Sequence, residues 1–283
     1  MTILRAVLGT GAVLVVLGAV AVVVCSAIGA RRFQRAYDAE KSALLQQGTL
    51  THAYSVDPAA VDELPAPVKR YLELSGALSA PPVKTVVLKQ AGAIRTAAGK
   101  PWMAFAAEQV YSVEPPGFLW LARSRLAPFI DIWVRDKFVD GRGNMLVRLF
   151  GLFALVDAAG PGIDQGAALR FWGEIIAFPS AVLSPHLAWH PVGANEARML
   201  IAQGGLQLDA SVEFTADGEP TAFHANRYRD VHGQQVLTPF SGFLTDWKVV
   251  DGKRIPAHWE AVWHLAEGDL TYVKIDILAV RQE

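Results

Sequence analysis

The chain has 283 residues, of which 52% are hydrophobic and only 19% are charged. This composition excludes a disordered or fibrous protein. The 26 basic and 27 acidic side chains nearly balance, which excludes the basic excess that nucleic-acid binding requires. Because Cys25 is the only cysteine, a disulfide framework and a zinc site built from several thiolates are excluded as well.

The chain begins with a long apolar run. Residues 6–30 carry no charge, and about 20 apolar residues suffice to cross the hydrocarbon core of a bilayer as a helix. We therefore predict a retained transmembrane anchor. A cleaved signal peptide is one alternative, although its apolar region is usually only about 7–15 residues long. Lipidation at Cys25 is another, although Val24 stands where such a site needs a small residue.

Charges flanking the anchor give conflicting indications of its orientation. Arg31, Arg32 and Arg35 follow the run and outnumber Arg5 before it, which favours a cytoplasmic domain. The absence of cysteine after the anchor suits an oxidising compartment instead. Residues 36–283 carry 22 basic and 27 acidic side chains, so only the anchor end is basic, as suits anionic headgroups. We predict a single-pass protein of a bacterial inner membrane. Its domain is predicted to lie outside the cytoplasm, although the charges that flank the anchor favour the opposite orientation.

Three parts follow from the pattern along the chain. Residues 1–35 form the anchor with its basic flank, residues 36–58 form a linker, and residues 59–283 form a single β-rich domain. Within the domain, apolar residues recur at helical spacing over residues 66–75, and Gly76 then ends the pattern. These features predict a short helix at the start of the domain.

Beyond that helix, apolar and polar residues alternate. Such alternation predicts strands with one buried and one solvated face, as in antiparallel sheets. It is clearest over residues 130–135, 206–214, 258–265 and 272–277. Turn dipeptides punctuate the strands at Asp140-Gly141, Asp217-Gly218, His232-Gly233, Asp251-Gly252 and Glu267-Gly268.

One segment between the strands has a helical apolar stripe. This stripe lies within residues 163–187, and Pro179 interrupts it. An apolar insert must bury itself, and the concave face of a curved sheet is the nearest place. We therefore predict an α+β fold: an N-terminal transmembrane helix, then a curved, mostly antiparallel half-barrel sheet with a few helices on its concave side.

Glu174 is the clearest candidate for chemistry, because it is an ionisable group in an apolar stretch. Burial could make it a general acid or a ligand contact. Arg170, four residues earlier, offers the alternative of an intrahelical ion pair around a structural carboxylate. Arg227, in a charged strand segment, could pair with Glu174 or bind an anionic headgroup; the alternative is a solvated strand face.

Other catalytic and metal motifs have little support. His186 and His190 have the spacing of zinc ligands on a helix, but Leu187 replaces the glutamate of metalloproteases, and Pro185 and Pro191 bracket the pair. The sequence has neither a glycine-rich phosphate loop nor a Gly-x-Ser-x-Gly elbow. We predict no metal and no cofactor.

Aromatic residues suggest an apolar ligand. The chain has eight tryptophans, and several of them lining a cavity would suit such a ligand. The residues that we expect to line the site are Arg170, Trp172, Glu174, Phe178, Arg227, Trp259 and Trp263.

Several motifs together resemble a known family. They are Leu64–Gly76, Gln90-Ala-Gly followed by Trp102, Arg170-Phe-Trp-Gly-Glu174 with Pro179-Ser-Ala, Arg227-Tyr-Arg-Asp230, Pro239-Phe-Ser-Gly242 and Asp251–Pro256. As a set they look like an uncharacterised bacterial family of membrane-anchored proteins, over roughly residues 60–280. The ending is also similar to lipoprotein-carrier half-barrels of the LolA/LolB kind, which implies a concave face that holds acyl chains under a lid of helices. The family resemblance implies no catalytic residue.

Three functions remain open at this stage. The first is a non-catalytic, membrane-anchored binding protein for a membrane lipid, an acyl chain or another apolar small molecule. The second is an enzyme on a membrane-proximal substrate, with Glu174 as acid or base, assisted by Arg170, His186 or Arg227. The third is a structural or interaction module that meets a partner protein through a sheet edge or an apolar patch.

Overall fold

A computed structural model describes residues 2–48, 58–81, 83–128, 130–250 and 253–283. Most of the turn-rich part of the predicted linker and the Asp251-Gly252 turn lie outside these residues. The helices are α1 (Thr2–Gln47), α2 (Pro58–Asp62), α3 (Ala66–Leu74) and α4 (Pro161–Gly173). Two 3-10 helices, Ile175–Ala177 and Pro179–Leu183, follow α4, and we call residues 175–183 the 3-10 segment.

The described residues form thirteen strands. They are β1 (Thr85–Ile94), β2 (Met103–Ser112), β3 (Gly117–Ala127), β4 (Ile130–Val139), β5 (Arg142–Leu149), β6 (Phe153–Ala159), β7 (Leu187–Gly193), β8 (Glu196–Gln203), β9 (Leu206–Phe214), β10 (Pro220–Val231), β11 (Gln234–Val250), β12 (Lys253–Leu265) and β13 (Gly268–Gln282).

All thirteen strands belong to one antiparallel, curled half-barrel sheet, which confirms the predicted fold class. The order is β6-β5-β4-β3-β2-β1-β13-β12-β11-β10-β9-β8-β7. Every neighbouring pair except β1 and β13 is consecutive in the chain. The two edge strands, β6 and β7, are joined by α4 and the 3-10 segment. Because this connection must pass from one edge to the other, it crosses the concave face.

The predicted elements agree with the structure in most places. The helix expected over residues 66–75 is α3, and the four alternating segments lie in β4, β9, β12 and β13. The insert expected over residues 163–187 is split. It is α-helical to Gly173 and 3-10 helical beyond it, and β7 begins at Leu187. Pro179 separates the two 3-10 helices, because the residue before a proline, here Phe178, is driven out of helical geometry.

The second half of α1 packs on the convex face of the sheet. Phe33, Tyr37 and Leu44 are buried there. They contact side chains that point outward from β1 to β4, namely Val87, Val110, Leu119, Leu121 and Trp133. The structure therefore differs from the predicted linker over residues 36–58 in its first part. Residues 36–47 are helical and docked on the sheet.

Polar contacts fix α1 in this position. Glu108 on β2 accepts hydrogen bonds from Tyr37 Oη (2.9 Å) and Lys41 Nζ (2.5 Å), and Lys89 also contacts its carboxylate. Burial acts to raise the pKa of Glu108, but these three donors outweigh it and lower the pKa below its usual value. Glu40 binds Lys137 Nζ at 3.1 Å in the same way. The docked half of α1 is thus an integral part of the domain.

The first half of α1 extends away from the sheet. Among the described residues, one helix is long and apolar enough to cross a membrane, namely α1 over Val16–Gln47. Its Gly29 meets the β5–β6 turn so closely that a Cβ atom would lie 1.9 Å from the carbonyl oxygen of Phe150. Gly29 therefore permits the helix to pass against the turn. The apolar half leaves the domain at the end of the sheet where the β5–β6 turn lies.

Candidate ligand-binding site

Helix α4 lies across the concave face and is fixed at its start. Asp164 in its first turn accepts hydrogen bonds from the backbone N–H of Gly143 (2.7 Å) and from Arg142 Nη1 (2.9 Å). A Cβ atom at Gly143 would lie 2.6 Å from the carbonyl oxygen of Ile163. The missing side chain of Gly143 thus allows the β4–β5 hairpin to approach α4, and the Asp164 carboxylate holds it there.

Arg170, near the end of α4, is the centre of a buried polar cluster. Its Nε donates to Glu174 Oε1 (3.0 Å), its Nη1 to Asp136 Oδ2 (2.7 Å) and its Nη2 to Gln109 Oε1 (3.1 Å). The guanidinium also lies over the rings of Phe118 and Trp120, 4.9 and 5.0 Å from their centroids. The guanidinium of Arg170 therefore forms hydrogen bonds and ion pairs at its edge. Aromatic rings cover its face.

The Glu174 carboxylate is fully engaged by this cluster. Besides Arg170, it accepts hydrogen bonds at Oε2 from Gln109 Nε2 (2.6 Å) and Tyr111 Oη (2.8 Å). Gln90 Nε2 in turn donates to Gln109 Oε1 at 3.2 Å. The predicted pairing of Glu174 with Arg170 is present and buried beneath α4, where it ties the helix to β2 and β4. An acid or base role for Glu174 stays a prediction.

Two pKa values show how strongly the cluster is coupled. Burial alone would lower the pKa of Arg170, but the Glu174 and Asp136 carboxylates raise it above its usual range. Burial is also the main reason why the pKa of Tyr111 is raised well above its usual value, with the negative charge of Glu174 adding to it. Arg170 therefore stays charged and Tyr111 stays a neutral donor at any physiological pH.

Trp172 and Phe178 lie on the apolar side of the same layer. Both are completely buried, and Trp172 donates its indole N–H to Gln203 Oε1 at 2.8 Å. Beside Trp172 is a cavity of about 20 Å³ between α3, the 3-10 segment and the sheet. Its lining includes Val68, Tyr71, Ile175, Ile176, Val182, Met199, Val212, Phe214 and Leu244. The cavity borders almost entirely on apolar surface, and it is about large enough for one water molecule.

Trp259, Trp263 and Arg227 occupy the other arm of the concave face. The two tryptophans are buried in the main core, and Arg227 lies over Phe240 at 4.4 Å from the ring centroid. Arg227 Nη2 donates to the carbonyl oxygen of Gly166 on α4 at 2.8 Å. Trp172, Phe178, Trp259 and Trp263 thus belong to one apolar core on the concave side, and Arg170 and Glu174 lie in the polar cluster beneath α4. Arg227 binds the backbone of α4 and does not pair with Glu174.

The 3-10 segment is held differently from α4. Its backbone carbonyl groups accept three single hydrogen bonds from side chains of other elements. Tyr71 Oη donates to Ile176 (3.0 Å), Gln282 Nε2 to Ala177 (2.7 Å) and Trp189 Nε1 to Val182 (2.9 Å). The segment contributes buried apolar side chains and, within the described residues, no ion pair. We call these three hydrogen bonds its tethers.

His186 and His190 do not share a helix. His190 lies in β7, and His186 just before it has Nδ1 3.0 Å from the carbonyl oxygen of Ala202. Glu114 lies 3.9 Å from the other ring nitrogen of His186. In the part of the chain that the structure describes, no group of three or more potential ligands could hold a metal.

Sequence reasoning did not find Asp136, Gln109, Tyr111 or Gln90. Each occupies an inward position of its strand and is in phase with apolar core residues, as Gln90 is with Leu88. A polar residue on the buried face of a strand needs a buried hydrogen-bond partner. The polar residues at these inward positions could therefore have indicated a buried polar cluster. The partners themselves are on other strands, which only the sheet order brings together.

Comparison with known proteins places the chain in one family by sequence. The model of a family of unknown function, DUF6544, matches residues 54–275. No curated protein sequence matches the chain.

Solved structures show only remote similarity. A domain from Vibrio parahaemolyticus assigned to outer membrane lipoprotein sorting is 9% identical, with a TM-score of 0.38 over 76% of this chain and 93% of that one. A LolA superfamily protein from Nitrosomonas europaea is 8% identical, with a TM-score of 0.37 over 77% and 92%. A DUF1329 protein from Desulfovibrio piger is 12% identical, with a TM-score of 0.37 over 77% and 92%.

Proposed function

Since the chain belongs to the family of unknown function DUF6544, we propose a function from its own geometry: it is a membrane-anchored protein that binds a lipid or acyl chain on the concave face of its sheet. The observation that carries this proposal is the almost entirely apolar cavity between the 3-10 segment and the sheet. In this proposal the ligand displaces the 3-10 segment from the sheet. The cavity then widens, and the ligand occupies the space that the segment leaves.

The two parts of the helix layer differ in what holds them. Helix α4 is fixed by the Arg170 cluster and by Asp164, each with charge-assisted hydrogen bonds. The 3-10 segment is held by apolar contacts and three neutral tethers. An acyl chain can replace apolar contacts without loss, whereas it cannot replace an ion pair. The 3-10 segment is therefore the part that a ligand displaces.

The membrane location follows from α1 and its surroundings. The apolar half of α1 leaves the domain beside the β5–β6 turn, and the basic flank at Arg31, Arg32 and Arg35 is exposed at that level. Exposed apolar side chains, Leu126, Phe153 and Leu155, lie at the same end of the sheet. Apolar and basic groups together suit the headgroup region of an anionic bilayer. This end of the sheet therefore rests on the membrane.

A depth measurement tests this orientation. In a Cys25→Ser background, a bimane fluorophore on Phe153→Cys is expected to be quenched by brominated lipids in nanodiscs. The matched control is Val249→Cys, which is 66% exposed at the opposite end of the sheet and should not be quenched. Equal quenching at the two positions would contradict the proposed orientation.

Crosslinking tests the ligand site. The full chain in nanodiscs is incubated with a diazirine-bearing fatty acid, irradiated and mapped by peptide mass spectrometry. We expect adducts in the 3-10 segment and in β8 and β9, in addition to adducts in the anchor. The anchor serves as an internal positive control, because it touches lipid whatever the domain does. Adducts confined to the anchor would overturn ligand binding by the domain.

One tether can be removed to sharpen this test. Tyr71→Phe deletes the hydroxyl that binds the carbonyl oxygen of Ile176 and leaves the ring in the core. We expect the yield of domain adducts to rise by a few fold, because a tether is worth about 1 kcal/mol. Tyr228→Phe, on an exposed tyrosine, is the matched control and should leave the yield unchanged.

A further inference from the structure

A second group of polar residues lies on the convex face, away from the helix layer. Ser241 Oγ is 2.7 Å from His264 Nε2, and His264 Nδ1 is 2.8 Å from Asp269 Oδ1. A hydroxyl, an imidazole and a carboxylate joined in this order by hydrogen bonds are the constellation of a serine nucleophile with its base. The residues are far from Glu174 and were not found by sequence motif.

The sheet register produces this constellation. Phe240 and Trp263 face each other on the concave side, so Ser241, the residue after Phe240, points to the convex side. A bulge between Ala261 and Val262 shifts the pairing of β12 with β13. Beyond the bulge, His264 and Asp269 are paired directly across the hairpin. Backbone pairing thus holds all three side chains on one face.

Asp269 determines which nitrogen of His264 carries the proton. A carboxylate can only accept here, so Nδ1 of neutral His264 is the protonated nitrogen and Nε2 is the free acceptor. Ser241 therefore donates its hydroxyl proton to His264 Nε2. This is the tautomer that a general base requires.

A second imidazole completes the surroundings of the hydroxyl. His224 Nδ1 lies 2.7 Å from Ser241 Oγ. The other ring nitrogen of His224 lies 3.3 Å from Glu213 Oε1. His224 is therefore a polar neighbour of the proposed nucleophile on the adjacent strand.

Space for a substrate adjoins these groups. An open groove of about 480 Å³ is lined by Ser241, His224 and His264, and also by Asn226 and Pro239. Polar and apolar groups both border it, and it opens to solvent rather than to the helix layer. The groove suits a small, water-soluble acyl compound. It lies on the opposite face of the sheet from the proposed acyl-chain site.

We propose that Ser241, His264 and Asp269 form a hydrolytic site for short-chain carboxylic esters. Ser241 Oγ attacks the ester carbonyl carbon while its proton passes to His264 Nε2 and the π electrons move to the carbonyl oxygen. Collapse of this intermediate breaks the bond to the alkoxy group, which leaves as the alcohol with the proton from His264. Water then attacks the acyl-serine in the same way, which releases the carboxylic acid and restores the hydroxyl.

Covalent labelling tests the proposal without any variant. The full chain in maltoside micelles is treated with a fluorophosphonate, digested and mapped by mass spectrometry. We expect an adduct on Ser241, and hydrolysis of p-nitrophenyl acetate that the adduct abolishes. The absence of an adduct on Ser241, together with hydrolysis that survives the treatment, would overturn the proposal.

Variants identify the roles of the three residues. Ser241→Ala is expected to lower the rate of p-nitrophenyl acetate hydrolysis by at least about 100-fold, and Asp269→Asn by about tenfold, because Asp269 is exposed and water screens its charge. Ser79→Ala, at an exposed serine just after α3 that does not line the groove, should keep the rate and the Ser241 adduct. Melting temperatures confirm that each variant is folded. A Ser241→Ala protein that is folded and fully active would also overturn the proposal.

Discussion

Replacing Arg170 with methionine is expected to lower the free energy of unfolding by about 3–5 kcal/mol. The substitution keeps much of the apolar stem but removes the only guanidinium that pairs with both Asp136 and Glu174 in the described part of the chain. The buried Glu174 carboxylate then keeps only the neutral donors Gln109 and Tyr111, and the buried Asp136 carboxylate loses its ion pair. The desolvation of both carboxylates is no longer compensated. Urea unfolding of the full chain in micelles, followed by tryptophan fluorescence, measures the change.

Arg198→Met is the matched control for this prediction. Arg198 also pairs with an aspartate, Asp209, but both side chains are about half exposed on the convex face. Surface ion pairs contribute about 0–1 kcal/mol, so this variant should unfold almost like the wild type. If Arg170→Met were as mild as Arg198→Met, the Arg170 cluster would not be what fixes α4 to the sheet.

Replacing Phe171 with alanine is expected to cost a similar amount, about 3–5 kcal/mol. Phe171 is completely buried, and its ring lies 4.9 Å from the ring of Trp172 and 5.9 Å from that of Phe178, measured between centroids. Removal of the ring leaves a cavity that the surrounding aromatic residues cannot close, because they are held by strands on one side and by α4 on the other. The same urea titration gives the loss of stability.

Phe243→Ala is the corresponding control on the convex face. Phe243 is 36% exposed and contacts His224 at its ring edge. Because water already reaches much of the ring, we expect a loss of less than about 1.5 kcal/mol. Equal losses for Phe171→Ala and Phe243→Ala would show that α4 is not part of the cooperative core.

These two predictions bear on function because they concern the part of the helix layer that stays in place. Arg170 and Phe171 are adjacent on α4, and Arg170 binds Asp136 of the sheet in an ion pair that an acyl chain cannot replace. The 3-10 segment has only neutral tethers and apolar contacts. The proposed function therefore requires that a ligand displace the 3-10 segment and leave α4 in place.

Much of the fold was predictable because strand periodicity is a local property. The alternation over residues 206–214 predicted β9, and the helical spacing of apolar residues over 66–75 predicted α3. The docking of the second half of α1 on the sheet was less predictable from the sequence. Its apolar residues Phe33, Tyr37 and Leu44 show a helical stripe, but nothing local indicates that the stripe packs on a sheet whose first strand begins only at Thr85.

The candidate sites were predictable only in part, for the same reason. Arg170 and Glu174 are one helical turn apart, so their pairing follows from spacing. The contact of Asp136 with Arg170 spans two elements whose proximity depends on the crossover of α4. Likewise, Ser241 and His264 meet because of strand register and a bulge, which no short sequence motif encodes.

Hydrogen exchange in the 3-10 segment tests the central claim most directly. The backbone N–H groups of Ala177, Phe178 and Ser184 are hydrogen bonded within this segment or at its end. Mass spectrometry of the full chain in maltoside micelles, with and without oleate, compares their exchange with that of α4. The account predicts that oleate accelerates exchange over residues 175–184 and leaves residues 161–173 unchanged. Unchanged or slower exchange over residues 175–184 at saturating oleate would contradict it.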